Sequence, residues 1–359
     1  MDSNNTMQAP IIKKESKNKI RVEFERTPLL ERLKTKYLSL FFVKKLVWFL
    51  FRFLLMLGIS YVILFPFFSK IAGSFMGTSD FVDVTVRIIP KDFNVDMYKY
   101  IFLENRYMEA FLNTTFLSVV CALIQTFVSC LIAYGLAKFK FKGNKLIFVL
   151  VVITMIIPHR TVSYALQQHF RYFDLFNFRG LGFPGILTSF GLLDEADGWS
   201  WLNSPTPLFL LSATGLAFKN GLYIFLLRQF FQGVPDELEE SAYVDGSGVF
   251  RTFFTIIIPL SIPMMITVFL FSFSWQWTDE FYTMLFYSAD SAHRWILMPD
   301  IYTTIPESLV QPDIYAGKTI YENAVRNTAG IMIIAPLVVL YLFCQKYLVQ
   351  GIERSGIVG

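Results

Sequence analysis

Residues 229–264 read QFFQGVPDELEESAYVDGSGVFRTFFTIIIPLSIPM, and the fold turns on them. A polar, acidic segment of roughly 25 residues lies between two apolar runs, each long enough to cross a bilayer. Pro235 suits the first turn of a helix, where its missing N–H costs nothing. Asp236 and Glu237 follow, placing negative charge at the positive end of the helix dipole. The spacing predicts a helix over 235–245, with Leu238, Ala242 and Val249 recurring at roughly helical spacing and Glu239 and Glu240 elsewhere on its surface. Gly246 permits a sharp turn that a Cβ would obstruct. Ser247 is placed to cap a second helix, which would run through Phe250 and Phe254 into the membrane at Pro259. The expected product is a helix–turn–helix lying across one membrane face. A short acidic helix alone would be an ordinary interfacial loop.

The rest of the chain fits a membrane setting. Of 359 residues, 54% are hydrophobic and only 17% charged, below the quarter usual in soluble proteins. The net charge of +4 is too small to argue for nucleic acid, and the basic residues sit at membrane edges. Cys121, Cys130 and Cys344 fall in apolar runs without paired or metal spacing, which reads as buried, unpaired thiols. His159, His169 and His293 are scattered, so no metal is expected. Walker A, HExxH and GxSxG patterns are missing from the sequence. Residues 1–45 lack the apolar core and cleavage site of a signal peptide. They read as a flexible cytoplasmic tail ending in a basic amphipathic stretch, Leu29–Lys45, suited to the inner leaflet.

Six apolar stretches are long enough to span, at about 46–68, 111–137, 145–166, 206–231, 257–279 and 328–348. Lys34, Lys36, Lys44 and Lys45 precede the first, and the loop 138–145 (KFKFKGNK) carries four lysines and no acid. Segment 280–327 holds three basic residues against six acidic ones. The positive-inside rule then puts both termini and the loop 232–256 in the cytoplasm. The expected organisation is a tail over 1–45, a six-span body over 46–349 and a short C-terminal tail over 350–359. Proline residues at or within the spans, among them Pro158, Pro259, Pro263 and Pro336, leave carbonyls that neighbouring helices can satisfy.

The spacing inside the loop is much more specific than its charge. Glu240-Ser241-Ala242 is followed after three residues by Gly246, and after nine more by Ile256, Ile258 and Pro259. This resembles the EAA motif of ABC-importer permeases, with Ser241 for the middle alanine and Ile258 for leucine. RQFFQGVPDELEE before it and PLSIP after it extend the likeness to the carbohydrate-uptake branch, the maltose-permease-like subunits, over roughly residues 111–359. The resemblance implies an all-α integral membrane protein with six transmembrane helices of the type I ABC importer permease kind, in a bacterial plasma membrane. It implies a coupling set of Glu240, Ser241, Ala242, Asp245, Gly246, Ile256 and Pro259. Glu240 would be the docking anion on the ATPase, Ala242 would allow close approach, and Gly246 would set the angle between the helices. The implied partners are a second homologous permease, two ATP-binding-cassette subunits that bind ATP and Mg, and an extracytoplasmic solute-binding protein. This chain itself would carry no cofactor and no catalytic residue. The ending QKYLVQGIERSGIVG resembles tails that reach between the two ATPases, although such a tail can equally be a frayed terminus.

Two groups are candidates for a substrate pathway. Lys219-Asn220-Gly221 falls near the middle of the expected fourth span, with Lys219 about 20 Å of helix from either end, farther than snorkelling reaches. Such a cation faces a cavity or a partner carboxylate. The fifth span closes with Trp275, Gln276, Trp277 and Asp279, an aromatic and polar set that could receive sugar rings and hydroxyls, or serve as an interfacial anchor. A permease for a non-sugar solute is the nearest alternative. An ion-coupled secondary transporter would want inverted repeats and paired intramembrane acids. A membrane glycosyltransferase would want clustered acids with a metal or nucleotide site.

Overall fold

The computed structural model describes residues 40–174, 200–217, 219–287, 295–303 and 318–356. Among them every regular element is helical, and the β contact is an isolated bridge between Met76 and Phe93. Residues 1–39, most of the expected N-terminal tail and of Leu29–Lys45, lie outside the described residues, as do His293 and the last three residues; positions 40–45, expected in the tail, are helical and open the first long helix.

Among the described residues, four helices are long and apolar enough to cross a membrane: Phe42–Gly73, Tyr107–Lys138, Val249–Trp277 and Thr319–Val349. They belong to helices α1 (Leu40–Gly73), α3 (Tyr107–Lys138), α9 (Val249–Trp277) and α12 (Lys318–Gly356). In lipid every backbone polar group must be satisfied within the segment, which apolar runs of this length achieve only as helices. Residues up to Phe67, with most of α1, form one compact unit and Phe68–Gly359 a second; the second also contains α2 (Asp96–Leu103), α4 (Asn144–Ile156), α5 (Ser163–Arg171), α6 (Thr206–Ala213), α7 (Asn220–Gln232), α8 (Glu237–Val244), α10 (Phe281–Phe286) and α11 (Met298–Thr303). Helix α12 continues through the segment read as a separate tail, as far as Gly356.

The six expected spans are therefore not six continuous helices. The third bends by 93° between Asn144–Ile156 and His159–Arg171. Pro158 is the cause: the residue before a proline is pushed out of the helical region, and Ile157 is extended at φ −65°, ψ 121°. The fourth, expected over 206–231, is broken into α6 and α7. Gly215 ends α6 at φ +73°, with the Leu216 N–H donating to the Leu211 carbonyl at 3.0 Å. That is a glycine-terminated Schellman stop. Lys219, also left-handed at φ +68°, then starts α7. Lys219 lies at a helix break, not inside a helix.

Helix α3 is the centre of the bundle, packing on α6, α7 and α9. At its loop end Tyr134, Leu227, Phe231, Phe253 and Ile257 form one buried cluster. At the other end Met97, Ile101, Trp277, Met298 and Ala329 form a second. Between these ends the Gln125 amide of α3 donates to Ser212 Oγ of α6 at 3.0 Å and accepts from Ser272 Oγ of α9 at 2.7 Å. Cys121 and Cys130 are buried and free. Helices α4 and α7 touch closely at Gly221, where a Cβ would fall 3.0 Å from the Val151 carbonyl oxygen and closer still to Thr154 and Met155. Pro336 cannot donate to the carbonyl four residues back, and Tyr107 Oη supplies that Met332 oxygen with a hydrogen bond of 2.9 Å.

Candidate functional site

The loop folds as a helical elbow. Helix α8 covers Glu237–Val244, preceded by a turn in which Leu238 N–H reaches the Pro235 carbonyl. It ends in a second Schellman stop: Gly246 N–H donates to Tyr243 O at 3.0 Å and Ser247 N–H to Ala242 O at 2.9 Å. Gly246 has φ +82° and nothing within 4 Å of an added Cβ, so backbone conformation alone selects glycine there. The next helix is capped by Gly248, at φ −78°, ψ 164°, and not by Ser247. The chain turns one residue later than the capping pattern suggested because Ser247 closes the preceding stop.

From Val249 the helix runs without interruption into the membrane as Val249–Trp277. Its second turn widens to a π-helix over Phe253–Ile257, with the Ile258 N–H reaching the Phe253 carbonyl. Pro259 lies two residues past it. A proline cannot donate into the ladder behind it, and a π turn is one way to absorb the loss. Ile256 is half-buried, Ile257 is fully buried and Pro259 is exposed.

The acids of α8 divide between two duties. Glu239 is buried, at 7% exposure, and does not lie on the outer surface as its composition suggested. Its Oε2 accepts from Tyr134 Oη at 3.1 Å, and Oε1 lies 3.5 Å from Lys138 Nζ. Lys138, the last residue of α3, also donates to Val234 O at 2.6 Å and to Asp236 Oδ1 at 2.5 Å. The ammonium holds the Asp236 carboxyl below the usual carboxylate range. Asp236 is 79% exposed, so water screens that pair, and the buried contacts to Val234 and Glu239 carry the clamp.

The opposite face of α8 is free of the bundle. Glu237, Glu240, Ser241, Val244 and Asp245 are exposed, and Ser241 Oγ bonds back to Glu237 O at 2.7 Å. Ala242 is 5% exposed and turned into the chain, so the close approach it permits is to its own bundle. Val244 is 87% exposed and Phe250 77%. Large apolar groups left exposed beside acids mark a surface suited to contact with another protein or a membrane.

A second site forms at the helix breaks, about 20 Å of helix from the loop end along both α4 and α7, at 1.5 Å per residue. Lys219 Nζ lies 5.0 Å from the centroid of the Trp275 ring, so two separately identified candidates meet. Lys219, His159 and Thr154 line a cavity of about 110 Å³. Trp275, Gln276 and Asp279 line an adjoining hollow with Gln125, Ser272 and Tyr282, and the His159 ring meets Tyr282 edge-on at 6.4 Å. Asp279 also caps α10, accepting the Tyr282 N–H at 3.0 Å. Asn220 is fully buried. Trp277 leaves the pathway set: it is 1% exposed, and its Nε1 donates to Ile333 O of α12 at 2.9 Å. Two residues along a helix turn a side chain through about 200°, which separates it from Trp275.

Sequence reasoning counted Lys138 only as a membrane-edge charge and did not single out Gln125 or a role for His159. The one available signal was Pro158, a helix breaker beside a histidine.

Comparison with known proteins now adds to this geometry. The family described as binding-protein-dependent transport system inner membrane component matches residues 125–354. The polygalacturonan/rhamnogalacturonan transport system permease protein of Bacillus subtilis (strain 168) is 29% identical over 313 residues, covering 86% of this chain and 96% of the relative. The arabinooligosaccharides transport system permease protein of the same organism is 26% identical, covering 86% and 94%. Among solved structures, a chain of a bacterial ABC transporter involved in the import of the acidic polysaccharide alginate superposes with a TM-score of 0.63. It is 18% identical, and the match covers 85% of this chain and 97% of that one.

Proposed function

Because this chain belongs to the family of binding-protein-dependent transport system inner membrane components, we propose that it forms half of the translocation pathway of an ATP-driven oligosaccharide importer. It is a multi-pass, non-catalytic inner-membrane subunit of a transporter that works with a solute-binding protein. The observation that carries the reading is the elbow: an exposed acidic and apolar face on α8 joined through Gly246 to a helix that runs unbroken into the membrane. A push on that face is a push on α9, and so on Trp275 and Gln276 at its far end. The sugar class is supported by relatives named for transporting polygalacturonan/rhamnogalacturonan and arabinooligosaccharides.

In this reading a second homologous permease completes the cavity. Two ATPase subunits, binding ATP and Mg, grip α8 and its counterpart from the cytoplasm, where both termini lie. Glu240, Ser241, Asp245 and Gly246 form the gripped surface. Ala242, Ile256 and Pro259 shape its connection to the bundle. Lys219, Trp275, Gln276 and Asp279 belong to the pathway, and Asn220, fully buried, leaves that set with Trp277.

Reconstitution of the complete complex in proteoliposomes tests this. Uptake of labelled oligosaccharide is expected to require both ATP and the binding protein and to survive a protonophore. Uptake that persists without ATP and collapses with the protonophore would place the chain with ion-coupled transporters.

The elbow gives a sharper expectation. A left-handed backbone costs an L-residue about 1–2 kcal/mol, least for Asn, and far more for a β-branched side chain. Gly246→Asn should keep most of the sugar transported per ATP hydrolysed, whereas Gly246→Val should lose most of it. Equal coupling ratios in the two variants would show that the φ of residue 246 is immaterial.

A further inference from the structure

We propose that a cavity between the end of α1 and the start of α12 holds the headgroup of an anionic phospholipid of the phosphatidylglycerol class. The cavity lies at the end of the bundle opposite the α8 elbow and measures about 540 Å³, within the range of small-molecule sites. Its lining residues all belong to the unit Phe68–Gly359. The last turns of α1 contribute Ser69 and Lys70, and the first turns of α12 contribute Asn323 and Asn327. The remaining wall comes from the segment 76–87, and it is preformed. Asp80, only 5% exposed, accepts the Lys91 and Asp92 N–H groups on one oxygen at 3.0 and 3.1 Å. Phe75 stacks on Phe93 and on Tyr98, and Phe81 meets Tyr321 of α12 edge-on at 5.9 Å.

The ionisable side chains of the lining are Lys70, Arg87, Asp80 and Asp83. Asp83 is neutralised by Lys91 at 2.6 Å. Lys70 and Arg87 form no ion pair among the described residues. Two cations against one carboxylate leave one positive charge, which a single phosphodiester cancels through charge-assisted hydrogen bonds. A zwitterionic headgroup would leave it standing.

Depth decides between a lipid and a soluble ligand. Ser69 and Lys70 follow directly on the apolar run of α1, and Asn327 directly precedes the apolar stretch 328–348 of α12. Both sides of the cavity therefore begin at the edge of the hydrocarbon. Asn323 stands about 6 Å farther along α12, at 1.5 Å per residue, and a headgroup layer is about 5–8 Å deep on each side. Toward the bilayer centre the same face of α12 continues through Gly330, Ile334 and Val338, at three- and four-residue spacing. Gly330 has nothing within 4 Å of an added Cβ, and Ile334 and Val338 are 46% and 49% exposed. Acyl chains hanging from the cavity would lie along that strip. Basic pockets between transmembrane helices bind anionic headgroups in this manner.

The test is native mass spectrometry of the complete complex, delipidated and re-equilibrated with micelles containing phosphatidylglycerol and phosphatidylcholine. Hydrogen bonds to charged groups are worth about tenfold or more in affinity. Wild type should retain phosphatidylglycerol in preference, and the double variant Lys70→Gln/Arg87→Gln should retain one such lipid fewer per copy of this chain. Phosphatidylcholine retention should not change. Both side chains are exposed, so their loss should leave assembly intact. If the double variant does not assemble, Arg87→Gln alone decides, with phosphatidylglycerol expected to bind about tenfold more weakly. Unchanged phosphatidylglycerol retention overturns the proposal. If retention is unchanged and affinity for the solute-binding protein falls, the cavity is a protein-docking surface instead. Displacement of the lipid by excess glycerophosphoglycerol, the same headgroup without acyl chains, also overturns it, because the site would then take a soluble phosphodiester.

Discussion

Glu240→Lys is expected to abolish ATP-dependent uptake while leaving the bundle folded and inserted. Glu240 is exposed on the outer face of α8, and its side chain makes no ion pair among the described residues. Reversing its charge therefore costs the chain itself little, as for surface positions in general. The cost falls on the docked complex. A basic ATPase cleft would then meet a lysine, and like charges in such a contact cost several kcal/mol, enough to reduce occupancy by about a hundredfold or more. Glu239→Lys is the informative control. That residue faces Lys138 and Tyr134 inside the chain, so its reversal should disturb the permease before any partner is added. The readout is the amount of ATPase that co-purifies with each variant, beside uptake. Normal assembly and transport in Glu240→Lys would end the assignment of α8 as the coupling helix.

The contrast between these neighbours shows where a sequence can be read and where it cannot. The elbow was legible because it is local: a helix stop needs a residue that accepts positive φ, and Gly246 supplies it. The division between Glu239 and Glu240 was not legible. Adjacent residues on a helix point about 100° apart, and which of them meets the bundle depends on where α3 ends. The same limit separates Trp275 from Trp277. Hydropathy also hid the break in the fourth span, because averaging over 206–231 dilutes Gly215 among apolar neighbours, and the left-handed Lys219 has no compositional mark at all. The bend at Pro158, by contrast, has a cause that the sequence states outright. Meetings such as Lys219 with Trp275, or Gln125 with Ser212 and Ser272, join segments far apart in the chain. They follow from packing, which no local pattern encodes.

Lys138→Met is expected to uncouple the transporter from within. The Lys138 side chain is 7% exposed and that of Glu239 9%, and Lys138 also closes the Val234 carbonyl. Methionine keeps the length and apolar stem of lysine but removes every donor. Glu239 would then be a buried carboxylate relying on Tyr134 and Tyr243, with the Tyr243 hydroxyl at a distant 3.5 Å. Breaking a buried pair by removing one partner costs about 3–5 kcal/mol, and the surviving Tyr134 bond puts the low end of that range forward here. The loss is local, because α3, α7 and α9 keep their apolar cluster at this end. The expected result is a folded permease whose segment 234–248 exchanges amide hydrogens faster, and which transports less sugar per ATP hydrolysed. Adding Glu239→Gln removes the stranded charge, so the double variant should recover part of the protection, a non-additivity characteristic of contacting residues. That recovery separates a clamp from a generally damaged helix end. If Lys138→Met left both exchange and coupling at wild-type values, transmission would run through the Gly246 elbow alone, and α3 would be a bystander to the stroke.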